Sequence, residues 1–337
     1  MNILTRKREF LQSLMSRIPS KVSRLFLFGF DTLMAQDITS TRANARRAPL
    51  GWATAKSKMW RLLRNGRIAG IFPALLARLS LVARSDIVAV DFSDFGNKRQ
   101  VLMFARQTHR GRAMPLYFEI LEYPIEKDSQ NLFVIEAIMR FFAYARCTPT
   151  LVFDRGFACP SIIRFLAQNR YRFVIRIKKR KFLADDSGES RAAEDFAQND
   201  CLAHAYGHYL RLVISNDPGN GNDPWYLITN DVDSTRETII AWYYHRFEIE
   251  EFFRDAKHIL GFERLNFKTV QGLTIALWFA LLTAWFFERV ASSLTDLQEA
   301  ERKSWRVSRF RYVYENFARE LVRATAYVPQ TLFLPFV

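Results

Sequence analysis

From residue 86 onward, the chain alternates short apolar runs with polar turns. The first three runs are rich in β-branched and aromatic residues, as is typical of strands. The elements predicted between 86 and 177 are strands at 86–95, 99–108, 112–121, 148–154 and 171–177 and helices at 129–146 and 160–169. The resulting order, βββαβαβ, predicts an antiparallel meander that is extended by parallel strands with helical crossovers.

Apolar residues recur at helical spacing on both sides of this block. The predicted helical segments are 8–35, which Pro19 interrupts, 54–80, which divides into two short helices, 235–260, the apolar 272–288 and the basic amphipathic 303–323. Two strands, at 209–215 and 225–230, flank a turn-rich stretch and predict an inserted β subdomain.

The pattern as a whole predicts an α/β protein whose central domain has the element order of the RNase-H-like fold. The predicted parts of the chain are a basic helical region at 1–85, the RNase-H-like domain at 86–177 and 236–295, the inserted β subdomain at 178–235 and a helical C-terminal tail at 296–337.

The N-terminal quarter carries nearly all of the excess positive charge. The formal net charge is +15, and residues 1–85 hold sixteen Lys and Arg against three Asp and Glu. Such a region is typical of a protein with a polyanionic partner, most often nucleic acid. Composition alone fits a merely soluble surface equally well. Arg61 and Arg64, opposite the apolar stripe of their helix, are the expected DNA contacts.

Cysteine content and hydropathy predict a cytoplasmic protein without a membrane partner. Cys147, Cys159 and Cys201 are an odd number with no paired framework, which indicates a reducing compartment. The first twenty residues lack the apolar core of a signal peptide. The longest apolar run, from Gly272 to Phe287, is sixteen residues long, which is short for a bilayer span and favours a buried helix.

Two aspartates follow apolar runs of the kind found in buried strands. Asp91 follows four apolar residues and Asp154 follows three. Functional groups collect beyond the carboxyl ends of strands in open α/β sheets, and two carboxylates placed together there need a cation between them, for which Mg²⁺ is suited. A turn or helix cap is the alternative for either residue alone. Asp86 and Asp94 compete with Asp91, but Asp94 would lie on the opposite face of the pleat.

Four polar residues share one face of the helix predicted at 235–260. Tyr243, Arg246, Glu250 and Lys257 stand at offsets 0, 3, 7 and 14, within roughly 60° of one another. Glu248 and Glu251 fall outside this stripe, and the other side of the helix, including Phe247, is available for packing. A solvated face with i,i+4 charge pairs is the usual explanation for such a stripe.

Two further patterns are weaker. Cys201, His204 and His208 have part of the spacing of a zinc site, but no fourth ligand stands at a suitable distance in the sequence. The basic run that begins with Lys178, Lys179 and Arg180 is more often a solvated turn. Within a DNA enzyme, phosphate binding by this run is an even alternative.

These blocks, taken in order, resemble a known family. They resemble the DDE transposases of bacterial insertion sequences that carry the YREK signature, through Asp91 after an apolar strand, Asp154 within Asp-Arg-Gly-Phe, and the spacing Tyr243-x2-Arg246-x3-Glu250-x6-Lys257. The resemblance extends over about residues 86–267, roughly half of the chain.

The resemblance implies a retroviral-integrase-like catalytic domain with a β insertion between the second and third acids. It implies two Mg²⁺ ions bridged by Asp91, Asp154 and Glu250, for which Mn²⁺ is expected to substitute. It also implies cleavage of transposon ends, a hairpin intermediate and strand transfer. The partners would be double-stranded DNA, as terminal inverted repeats and target DNA, bound by a homodimer in the bacterial cytoplasm and nucleoid. Arg155 is expected among the DNA contacts.

The resemblance assigns further DNA contacts to the signature helix and the insertion. Tyr243 and Arg246 would hold phosphates near the terminal nucleotide, and Lys257 would contact the backbone. Trp225 would stack a flipped base. Packing of Trp225 in the subdomain core is an equal alternative, and Trp242 is the next choice for stacking.

Three functions therefore stay open at this point. An active cut-and-paste transposase is favoured. A domesticated or decayed transposase would bind DNA without cutting it, although it has no need of three acids beside phosphates. A structure-selective nuclease or resolvase would use the same acids, but it does not explain the Tyr-Arg-Lys stripe.

Overall fold

Two compact units make up the chain. The computed structural model describes residues 3–33, 50–94, 99–126, 129–185, 187–216, 223–259, 261, 267–305 and 307–327. The first unit consists of Met1–Leu76 and Asp255–Val337, and the second of Ala77–Arg254. The part of the predicted C-terminal tail beyond residue 327 lies outside the described residues.

Strands belong to the second unit. In the described residues they are β1 (Ile87–Asp94), β2 (Arg99–Arg106), β3 (Met114–Glu122), β4 (Thr150–Phe153), β5 (Phe173–Ile177), β6 (Phe182–Ala184), β7 (Ser190–Ala192), β8 (Asp200–Ala205), β9 (His208–Ser215) and β10 (Trp225–Thr229).

The helices occur in both units. Within the described part of the chain they are α1 (Ile3–Met15), α2 (Ser20–Leu33), α3 (Trp52–Leu63), α4 (Gly66–Ser80), α5 (Ser129–Ala145), α6 (Pro160–Gln168), α7 (Arg236–Tyr244), α8 (Glu248–His258), α9 (Val270–Ala291), α10 (Asp296–Ser304) and α11 (Arg309–Tyr327). Single 3₁₀ turns occur at Arg155–Phe157, Ala193–Asp195 and His245–Phe247.

A single mixed sheet forms the centre of the second unit. Its strand order is β3-β2-β1-β4-β5-β10-β9-β8-β6-β7. The β1–β4 and β4–β5 pairs are parallel, and the other pairs are antiparallel. The predicted meander with parallel extensions is thus present. The segment 178–235, expected as an inserted β subdomain, contributes its strands to this same sheet.

Helices pack on both faces of the sheet. On one face, Phe141 of α5 stacks on Phe104 of β2 with ring centroids 4.6 Å apart. On the other face, Ile239 and Tyr243 of α7 enter a core cluster with Val152 of β4 and other strand residues. Coverage of both faces by helices agrees with β4, which is buried along its whole length and apolar after Thr150.

The first unit is helical and has an aromatic core. Phe26 of α2 packs against Phe72 of α4, at 5.8 Å, and against Phe279 of α9, at 5.4 Å, and these two rings also contact each other at 4.9 Å. Gly29 permits this approach, because a Cβ at that position would lie 2.5 Å from the Phe279 ring. The helix α9 is long and apolar enough to cross a membrane, but 78% of its most apolar window is buried. Such burial is that of a core helix, as predicted for residues 272–288.

Candidate active site

Asp91 and Asp154 occupy adjacent positions on one face of the sheet. The strands β1 and β4 pair in parallel up to the residue before each aspartate. Because side chains alternate between faces, Asp91 shares the face of Ala89, and Asp154 shares that of Val152. Ala89 and Val152 are register partners. The register therefore brings two carboxylates together that are far apart in the sequence.

Burial and neighbouring charges determine the state of Asp91. Its Oδ1 accepts a hydrogen bond of 2.8 Å from the backbone N–H of Phe92, and its Oδ2 accepts one of 3.2 Å from Arg246. Burial raises the pKa of Asp91 to about 6, although the Arg246 charge opposes the rise. The carboxylates of Glu250 and Asp154 raise it further. Asp91 is thus a carboxyl group whose ionised form benefits from a nearby cation.

A short turn fixes Asp154. The backbone carbonyl of Asp154 accepts a 3.0 Å hydrogen bond from the N–H of Phe157, which closes the 3₁₀ turn at Arg155–Phe157. The Phe157 ring packs against Phe153 at 5.3 Å and stacks on Phe92 at 5.5 Å. The Oδ1 of Asp154 accepts a 3.2 Å hydrogen bond from the hydroxyl of Tyr243.

The segment from Arg236 to His258 contains two helices, so the expectation of one continuous helix at 235–260 is wrong in this detail. The helix α7 ends at Tyr244, the 3₁₀ turn His245–Phe247 follows, and α8 begins at Glu248. A 3₁₀ turn has three residues per turn, so residues three apart eclipse one another. Tyr243 and Arg246 therefore stay on one side despite the break.

Arg246 lies between two acids. Its Nη1 is 3.2 Å from Oδ2 of Asp91, and its Nη2 is 2.8 Å from Oε1 of Glu250. The residue is only 3% exposed, and its guanidinium carbon lies 4.5 Å from the ring centroid of Phe247. Its Nε is buried without a hydrogen-bond partner. In this arrangement an internal cation compensates the acids, and neither Arg246 nor the fully buried Tyr243 faces solvent.

The chemistry of this donor set suits a divalent cation. Asp91, Asp154 and Glu250 supply hard oxygen ligands, and all three interact electrostatically with the single charge of Arg246. Within the described ranges, however, no group of three or more His, Cys, Asp or Glu side chains is close enough to hold a metal ion. Metal binding would therefore require the acids to approach further, with Arg246 giving up at least one ion pair.

The two tryptophans proposed for base stacking lie at the edge of this site. Trp225 is 5% exposed and packs edge-on against Tyr243 at 4.9 Å, which favours the core-packing alternative. Trp242 is half-buried, and its carbonyl accepts a hydrogen bond from Gln107. Phe247, expected on the packing side of the helix, is instead 38% exposed.

The competing acids have other roles. Asp94 is exposed and accepts a 2.8 Å hydrogen bond from the side chain of Gln100. Asp86 caps a turn by accepting the backbone N–H of Ala83 at 2.9 Å and pairs with Arg106 at 3.4 Å. These contacts agree with the preference for Asp91 as the first acid.

The partial zinc pattern lies on the hairpin of β8 and β9. Cys201 and His204 are in β8, and His208 begins β9. His204 packs edge-on against the ring of Tyr209 at 5.3 Å. Among the described residues, these three side chains do not form a group that could hold a metal ion.

The basic candidates are found in both units. Lys178, Lys179 and Arg180 are exposed and follow β5 directly, at the sheet edge where Asp154 follows β4; Arg155, also exposed, lies at the same edge. In the first unit, Arg61 and Arg64 are exposed, and Arg64 lies 4.3 Å from the Trp60 ring. Lys257 is half-buried near the end of α8.

Sequence reasoning missed Glu248. The helical wheel placed this residue outside the stripe, and nothing else in the sequence marked it. In the structure it is 5% exposed and accepts two backbone hydrogen bonds from the β2–β3 connection.

Part of the chain matches a known protein family. Residues 129–286 match the model of the transposase DDE domain family. This similarity supports a DDE transposase. The match covers slightly less than half of the chain and includes Asp154 and Glu250, whereas Asp91 precedes it. A search of curated proteins finds no match to the chain. Such a domain implies an RNase-H-like fold, which the mixed α/β second unit accommodates.

Proposed function

We propose that this chain is a cut-and-paste transposase that cleaves transposon ends and joins them to target DNA through two-metal phosphoryl transfer and a hairpin intermediate. The observation that carries the proposal is the arrangement of three acids around one guanidinium group. Asp91 and Glu250 contact Arg246 directly, and Asp154 joins them through the register of β4 with β1. Similarity to transposase DDE domains supports the same reaction class.

The proposed metal ligands are Asp91, Asp154 and Glu250. When bound, a pair of Mg²⁺ ions, or Mn²⁺ in their place, would activate the attacking hydroxyl group and stabilise the leaving oxygen. The protein contributes geometry: Asp91 stands on β1, Asp154 directly follows the paired strand β4, and Glu250 stands on α8. Tyr243 orients Asp154 through its hydroxyl group. Arg246 compensates the acids until a stronger cation replaces its contacts.

The DNA would lie along the end of the sheet where β4 and β5 terminate, next to the acids. Lys178, Lys179 and Arg180 supply positive charge at this edge, beside Arg155. Contacts of this kind position the phosphate backbone without reading sequence. Arg61, Arg64 and Lys257 are proposed as further backbone contacts, and a homodimer would hold paired terminal inverted repeats.

The test is Mg²⁺-dependent cleavage of double-stranded DNA that carries the ends of the chain's own element. Wild type is expected to cut, and Asp154→Asn is expected to lose cleavage by a factor of at least 10² or so, because a metal ligand is removed. Asp94→Asn is the matched control, since Asp94 is an exposed acid on the opposite face of β1. Equal cutting by wild type and Asp154→Asn would overturn the metal assignment.

A second candidate is a domesticated or decayed transposase that binds DNA without cutting it. The observation in its favour is the ion-paired state of the acids, which among the described residues form no group ready to hold a metal. The same experiment separates the two candidates. Tight binding to element ends without Mg²⁺-dependent cleavage would favour the binding protein.

A further inference from the structure

The carboxylate of Glu248 fastens the connection between β2 and β3 to the start of α8. Its side chain is 6% exposed. Its Oε2 accepts a 2.8 Å hydrogen bond from the backbone N–H of Thr108, and its Oε1 accepts one of 3.1 Å from that of Gly111. The Nδ1 of His245 lies 3.3 Å from the same Oε1. Both oxygens of Glu248 are therefore engaged within the protein.

The shape of the connection suits this contact. His109 and Gly111 adopt left-handed backbone conformations, with φ of 57° and 82°. The turn presents two backbone N–H groups to one carboxylate, an arrangement that stabilises a buried negative charge. The His109 ring also meets the His245 ring edge-on at 4.2 Å.

Two backbone contacts strengthen the same junction. The carbonyl oxygen of Glu248 accepts a 3.0 Å hydrogen bond from the N–H of Ala113. The side chain of Gln107 donates a 2.7 Å hydrogen bond to the carbonyl of Trp242. The connection is thus attached on both sides of the 3₁₀ turn that separates α7 from α8.

Glu248 lies midway in the sequence between Arg246, which contacts two of the acids, and Glu250, which is one of them. Glu248 follows Arg246 by two residues and precedes Glu250 by two residues. On the strand side, β2 pairs with β1 in a register that sets Met103 opposite Asp91. Glu248 therefore connects the sheet that bears Asp91 to the helix that bears Glu250.

We propose that Glu248 is a positioning residue that sets the placement of Glu250 relative to Asp91 and thereby the affinity of the site for divalent metal. The inference rests on the proposed function, because it assumes that the three acids bind metal. Groups that hold the ligands of a metal site in place typically change its affinity by about 10- to 100-fold when they are removed.

The experiment measures Mn²⁺ binding by the full-length protein, using electron paramagnetic resonance to quantify free Mn²⁺. Glu248→Ala removes all side-chain contacts to the connection, whereas Glu248→Gln keeps the length and one acceptor oxygen. The matched control is Asp231→Asn. Asp231 is 4% exposed and accepts backbone N–H groups of Asp233 and Ser234, but it follows β10 at the opposite end of the sheet.

The half-saturating Mn²⁺ concentration is expected to rise about tenfold in Glu248→Ala, with a smaller rise in Glu248→Gln. Asp231→Asn should lower the melting temperature without changing Mn²⁺ binding. Unchanged Mn²⁺ affinity in both Glu248 variants would overturn the positioning role and leave a purely structural contact. If Glu248→Ala does not fold, the Glu248→Gln result decides.

Failure of the proposed function has a different signature. In that case wild type would bind no Mn²⁺, or its binding would be unaffected by Asp154→Asn. Binding that depends on Asp154 but not on Glu248 would instead contradict this inference alone.

Discussion

Arg246 donates to Asp91 across 155 residues of sequence, with 3.2 Å between Nη1 and Oδ2. The same guanidinium reaches Glu250 at 2.8 Å. A planar group with several donors is well suited to hold two carboxylates at once. The positive charge of Arg246 therefore compensates the negative charges of both Asp91 and Glu250.

Arg246→Ala is expected to lower the free energy of unfolding in EDTA by about 3 kcal/mol, because it leaves a buried acid without its counter-charge. Arg246→Lys should lose less, since it keeps the charge but cannot donate to both carboxylates in the same geometry. Chemical denaturation measures both. Arg254→Ala, which removes an exposed pair with Glu251, is the control and should change stability by less than about 0.5 kcal/mol. An equal loss in Arg246→Ala and Arg254→Ala would contradict the counter-charge role.

The ionisation of Asp91 predicts a pH dependence of the metal-free protein. Burial raises the pKa of Asp91 from 3.8 to about 6, so between these values the folded chain binds more protons than the unfolded chain. Stability should consequently fall as the pH rises from about 4 to 6 and then level off, by roughly 3 kcal/mol in total. The measurement is the difference in unfolding free energy between wild type and Asp91→Asn, in EDTA, from pH 4 to 7. A difference that is flat across this range would show that Asp91 is not perturbed.

The exposed basic residues that follow β5 predict how strongly DNA binding depends on the salt concentration. Replacing Lys178 and Lys179 together by Gln should reduce the slope of log K against log salt by about 2, if each lysine contacts one phosphate. Arg170→Gln is the control, because exposed Arg170 precedes β5 and thus lies at the opposite edge. Fluorescence anisotropy with double-stranded DNA measures the slope. Equal slopes for the two variants would place the DNA elsewhere.

The close helix packing in the first unit predicts opposite effects at two glycines. Gly29→Ala should destabilise the protein by about 1–3 kcal/mol, because the added methyl group meets Phe279 and Leu62. Gly70→Ala should be neutral or stabilising by up to about 1 kcal/mol, since nothing lies within 4 Å of its added Cβ. Thermal and chemical unfolding compare the two variants. Destabilisation by both would assign the effect to something other than the α2–α9 contact.

The order of the first five strands and the proximity of Asp91 to Asp154 were predictable from the sequence pattern alone. The expectation that both aspartates stand where a strand ends holds only for Asp154, because β1 continues past Asp91 to Asp94. The two residues lie side by side because β1 and β4 pair in parallel up to Val90 and Phe153. The alternation of side chains along a strand also predicted that Asp91 and Asp94 lie on opposite faces of the sheet. By contrast, β6 and β7 have three residues each, too few to produce a recognisable alternation.

The surroundings of Glu250 were less predictable. The helical wheel assumed a constant rotation per residue, and the 3₁₀ turn at His245–Phe247 interrupts it. The burial of Trp225 and Glu248 depends on partners from distant strands and turns, which no local pattern contains.

The position of β10 has a consequence for how this chain can be shortened. The strand β5 pairs with β4 on one side, over Phe173–Ile175, and with β10 on the other side, over Val174–Ile177. Excising 178–235 would remove β10 and leave the amide and carbonyl groups on that side of the mostly buried strand β5 open to pairing with another molecule. A trimmed version would thus be prone to self-association unless a new strand or helix covered β5.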